Sequence, residues 1–170
     1  MAQLSTEVAG DERGTLLAFV EAQRTAIRET LLGMSEEQAA SRSSASELTL
    51  SGVLKHVAEV ELNWLRLAQQ RPNERQRTQE TWGEMFRLVE GESIPDVLAF
   101  WDGIRQETEA FIAAVPSLDD SFPLPPAPWF PKDTKVSMRW MLLHLVEEFA
   151  RHAGHADIVR ESIDGTKAMG

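Results

Sequence analysis

Apolar side chains recur every three to four residues along four long stretches of this chain. The strict alternation that a half-buried strand needs is never sustained. A 3.6-residue period places one apolar stripe on each stretch, and such a stripe is stable only when packed against another element. The first stretch runs from about Asp11 to Leu32, with Leu16, Val20, Ile27 and Leu31 on one face and Gly33 as its stop. Ser35-Glu36-Glu37-Gln38 follows with capping-box spacing. The second stretch starts near Thr49 or Ser51 and runs to about Gln70, carrying Val53, Val57, Val60, Trp64 and Leu67; Pro72 and Asn73 end it. A polar connection over 71–92 includes a short helix around Trp82 to Val89. The third opens with Ser93 and Pro95, where a proline gives up no helical hydrogen bond, and continues to about Ala114. Five prolines between Phe122 and Pro131 forbid a helix and favour an extended path. The fourth helix runs from Ser137 to about Ile163, with Gly165 as stop. Four amphipathic helices of roughly 20 residues predict an all-α four-helix bundle. The bundle is expected to fill one domain, residues 1–170, with 1–10 as a flexible N-terminal segment.

Composition removes several functions. Seventeen basic against 27 acidic side chains leave a net charge of −10. A nucleic-acid surface must be basic, so binding to DNA or RNA is not expected. Arg71, Arg75 and Arg77 form a dense basic stretch, but Glu74 and Glu80 interrupt it and it reads as ordinary surface charge. Without cysteine there is no disulfide, iron–sulfur cluster or thiol nucleophile of the chain's own. No apolar run approaches the ~20 residues of a membrane span. The polar start lacks the apolar core of a signal peptide, so a cytoplasmic protein is expected.

Chemistry concentrates on the last helix. With His144 set at zero, Glu148 falls at about 40°, His152 at about 80° and His155 at about 20° around the helix axis. Glu148 and His152 are one turn apart and reach one point. On the second helix His56 shares its face with Val53, Val60, Trp64 and Leu67 and points inward. Two imidazoles and one carboxylate suit zinc, nickel, iron or manganese with open positions left for water or substrate. A satisfied core histidine and a helix-stabilising Glu–His pair fit the same spacing, and periodicity alone does not choose between them.

Other residues carry weaker signals. His155 is either a group that orients a ligand or a packed histidine paired with an acid of the first helix. His144 lines a pocket, orients Glu148 or simply packs. Glu59, one turn from His56, stands either behind the ligand or on a solvated face. Trp64, Trp101 and Trp140 have core spacing, whereas Trp129 in the proline-rich loop is a candidate lid over a pocket mouth.

Leu54-Lys55-His56-Val57-Ala58-Glu59-Val60-Glu61 with Trp64, and Leu142 through Asp164, resemble the DinB/YfiT-like four-helix metalloproteins. The likeness is to the branch close to the metal-binding domain of mycothiol-dependent maleylpyruvate isomerase. That resemblance implies a divalent ion, zinc first, on His56, Glu148 and His152. It also implies a borrowed low-molecular-weight thiol such as mycothiol, and transferase or isomerase chemistry on a small electrophile. Bundles of this kind often pair, so a homodimer is the assembly it suggests. The alternative is a non-catalytic, metal-binding or dimerising bundle.

Overall fold

The computed structural model describes residues 11–126 and 130–168. Helix α1 spans Glu12–Glu29, α2 Glu36–Ala39, α3 Leu50–Gln69, α4 Ile94–Ala114 and α5 Met138–Asp164, with a 3₁₀ turn at Trp82–Phe86. Helix α1 packs on α5, α5 on α3, α3 on α4, and α4 back on α1, which closes a four-helix ring. The expected flexible segment 1–10 lies outside the described residues.

Local chemistry sets most helix ends. Asp11, Ser35, Thr49, Ser93 and Ser137 each accept a backbone N–H at a helix start, and Ser35 with Gln38 completes the capping box. Gly165 closes α5 in the left-handed region, at φ 78°. Helix α1 stops earlier than expected: Thr30 caps it, and Gly33 serves the turn beyond.

The strand expectation is corrected in one place. Ser121–Pro123 (β1) pairs antiparallel with Lys135–Ser137 (β2), Phe122 opposite Val136, and both of these side chains are buried. The extended path imposed by the prolines supplies β1, but three residues are too few to show alternation.

Helix α3 is the axis of the molecule, buried on nearly every side. It therefore carries polar groups inside, and each needs a partner. Glu61 accepts two bonds from Arg24 of α1, at 2.5 and 3.1 Å, and one from the Trp101 indole of α4 at 2.8 Å. Lys55 donates to the Arg87 carbonyl at 3.1 Å and pairs with Glu92 at 2.5 Å. Glu59 is likewise buried, bonded to Arg77, which corrects the solvated-face expectation. Arg77 also binds Glu84 and Arg75 lies over the Phe100 ring at 3.9 Å, so these two are tied to neighbouring groups, while Arg71 remains surface charge as expected. Trp64 and Trp101 are core, as their spacing suggests, whereas Trp140 is 39% exposed.

Candidate metal centre

Helices α3 and α5 run antiparallel, so His56 faces His152 while Trp64 faces His144. The i, i+4 step on α5 sets Glu148 beside His152, and the fold brings His56 to both. One ligand atom from each of the three residues lies within 4.8 Å of the others. His56 and His152 are each 8% exposed, with Glu148 only partly covered.

The spacing admits a cation as well as long hydrogen bonds. Glu148 Oε1 sits 3.3 Å from His56 Nε2 and 3.4 Å from His152 Nε2. Charge-assisted hydrogen bonds close to about 2.7–2.9 Å. Zinc–ligand bonds of about 2.0–2.2 Å put neighbouring donors of a tetrahedron about 3.3–3.6 Å apart. Hydrogen bonding to His152, then to His56, outweighs burial and holds the Glu148 carboxyl well below the usual carboxylate range. The donor set of two imidazoles and an ionised carboxylate thus suits a divalent ion.

The surroundings fix the rings. His56 stacks on Phe86 at 4.6 Å and 20°, and its Nδ1 is buried with no hydrogen-bond partner among the described residues. His152 Nδ1 lies 3.5 Å from His155 Nδ1. Burial first, then the neighbouring His152 and Arg151, lower the pKa of His155 and favour its neutral, accepting form. A histidine whose Nε2 faces an ion carries its proton on Nδ1, so His155 is placed to accept it and set the ring's tautomer.

Of the remaining candidates within the described residues, His155 adjoins this cluster and the others separate from it. His155 touches His152, and among the described residues it forms no ion pair with an acid of α1. His144 stacks on Trp140 at 5.0 Å, meets Trp64 edge-on at 4.7 Å and lies 3.8 Å from Glu147, so it packs rather than bonding to Glu148. Glu59 is engaged with Arg77 and forms no bond to His56. Trp129 lies outside the described residues. Sequence reasoning missed Phe86, which shares the polar connection with a second aromatic, Trp82.

An all-α ring of helices with a His–Glu–His cluster between its second and last long members defines a DinB-like bundle protein. The family model for mycothiol S-transferases matches residues 15–165, and the chain belongs to that family. Among solved structures it is similar to the crystal structure of the conserved protein of locus from Enterococcus faecalis. The TM-score is 0.70 at 14% identity, over 91% of this chain and 98% of that one, so the likeness is one of fold. No curated protein matches the chain. No helix among the described residues is long and apolar enough to cross a membrane.

Proposed function

We propose that the chain is a divalent-metal-dependent S-transferase that joins the sulfur of mycothiol to a small electrophile. His56, Glu148 and His152 hold the ion, and zinc is the ion we assign, from the nitrogen-rich donor set. The convergence of three donors within 4.8 Å, in a member of this family, carries the reading. An ion bound there supplies Lewis acidity that lowers the pKa of a thiol in its open position.

The chain's own residues prepare that chemistry. Glu148 stays ionised at neutral pH and offsets part of the cation's charge. Phe86 covers one face of the His56 ring, excludes water from it and keeps Nε2 aimed inward. His155 accepts from His152 and fixes the second imidazole. In the transfer a sulfur–carbon bond forms, the leaving group departs with the bonding pair, and the thiol proton goes to solvent. Isomerase chemistry at the same site would return the thiol unchanged.

Metal content is measured on tag-free protein, wild type against a His56→Ala, His152→Ala variant. Thiol consumption is followed with mycothiol and 1-chloro-2,4-dinitrobenzene. About one ion per wild-type chain, lost in the variant, with turnover abolished by chelation, is the expected result. Equal metal in both proteins removes the site. Metal bound with no effect on thiol chemistry leaves the non-catalytic bundle.

A further inference from the structure

Twelve of the thirteen arginines in the sequence hydrogen-bond or ion-pair through the guanidinium with a carboxylate or a carbonyl. Arg87 is the exception: among the described residues its guanidinium has no hydrogen bond and no ion pair. In a chain with ten more acids than bases, an unpaired cation needs a reason.

Its backbone, by contrast, is held firmly. Lys55, buried and adjacent to His56 in sequence, donates to the Arg87 carbonyl at 3.1 Å. The preceding residue, Phe86, stacks on the His56 ring at 4.6 Å. Gly52, one turn before His56, lets the Phe86 carbonyl approach so closely that a Cβ there would lie 2.2 Å from its oxygen. The segment is thus clamped to α3 at the ligand, and the one free guanidinium starts from it.

Arg87 lines a cavity of about 640 Å³ whose wall includes Phe86, the ring stacked on His56, and, on the α3 side, Thr49 and Ser51. The charged groups lining the cavity are Arg42, Glu47 and Arg87, and Arg42 and Glu47 pair with each other at 3.2 Å. One positive charge is left over, beside hydroxyl donors, next to the site where sulfur transfer is assigned. Arg87 is exposed, so its unpaired guanidinium is open to planar anions, which a guanidinium recognises through two parallel hydrogen bonds.

We propose that Arg87 receives the carboxylate, or a group of like charge, on the electrophile, and so selects acidic acceptors. This rests on the transferase reading above. It assigns to Arg87 a role in acceptor specificity that the metal ligands do not supply.

The test compares wild type with Arg87→Gln and Arg87→Lys. Mycothiol is the donor, and the acceptors are 4-chloro-3-nitrobenzoate and neutral 1-chloro-2,4-dinitrobenzene. With either acceptor the sulfur–aryl bond forms, the carbon–chlorine bond breaks and chloride leaves. A charge-assisted pair of bonds predicts that the kcat/KM ratio, anionic over neutral, falls roughly 10- to 100-fold in Arg87→Gln. Arg87→Lys is expected to recover part of it. An unchanged ratio overturns the proposal, as does an effect confined to the KM for mycothiol, which would place the anion on the thiol. Titration calorimetry with 4-chloro-3-nitrobenzoate keeps the proposal testable if neither acceptor turns over and the transferase reading fails. Weaker binding to Arg87→Gln then supports anion recognition, and equal binding overturns it.

Discussion

Gly52→Ala should destabilise the protein, although the same change in an open helix does the reverse. Alanine is normally better than glycine in a helix by about 1 kcal/mol. At position 52 the added Cβ would lie 2.2 Å from the Phe86 carbonyl oxygen, 2.9 Å from its carbon and 2.9 Å from Thr49 Oγ1. Ordinary carbon–oxygen contacts begin at about 3.3 Å, so the overlap is about 1 Å. The obstacle is backbone, which cannot swing aside as a side-chain tip does. Relief requires Phe86-Arg87 to lift from α3, weakening the His56–Phe86 stack and the Lys55 bond to Arg87. Overpacking of this kind costs about 1–3 kcal/mol and the lost hydrogen bond about 1 more. Against a gain near 1, the net is a loss of about 1–3 kcal/mol. Gly103→Ala is the control: it lies in the interior of α4 with nothing within 4 Å of the new Cβ, and should stabilise by about 0.5–1 kcal/mol. Urea unfolding followed by far-ultraviolet circular dichroism measures both. If the two alanines stabilise equally, the close approach over α3 does not exist and the clamp on His56 goes with it.

Two further predictions concern charge. Glu61→Gln removes the buried counter-ion of Arg24, leaving it only the partly exposed Glu21 and Glu109, and should cost about 2–3 kcal/mol in urea unfolding. The paired replacement Arg24→Met, Glu61→Leu should recover most of that loss, and a Glu61→Gln cost under 1 kcal/mol would discard the buried network. Arg66 binds both Glu74 and Glu107, with Gln69 and Arg71 alongside, and its hydrogen bond is the main cause holding Glu74 at about 2 instead of 4.5. A depressed carboxylate stabilises the fold above its unfolded pKa and loses that contribution as pH falls through the folded value. The stability difference between wild type and Arg66→Gln should therefore be full at pH 7 and shrink from about pH 4.5 toward 2; a difference independent of pH refutes the pairing.

Much of the frame can be read from periodicity and caps, because helix ends at Thr49, Ser93 and Ser137 are local events within four residues. The same holds for Glu148 and His152, which one helical turn brings together without help from the fold. What escaped was long-range pairing. Nothing in the local pattern pairs Glu61 with Arg24, 37 residues away. The solvated-face reading of Glu59 fails because Arg77 arrives from a loop. Trp140 has the spacing of a core residue, but it lies at the start of α5, where it covers His144 from outside instead of entering the ring of helices. Hydrophobic period reports which face is apolar, not which charges the rest of the chain will meet.

His56 and Glu148 stand 92 residues apart along the chain. Of the three clustered donors, an isolated α5 carries two and an isolated α3 one. The three-donor cluster is therefore created by tertiary packing and vanishes with it, so under the proposed function uptake of an ion would report on native structure as directly as a spectroscopic probe. An ion seated there would also rivet two remote segments together, and the folded population would rise with the concentration of free metal.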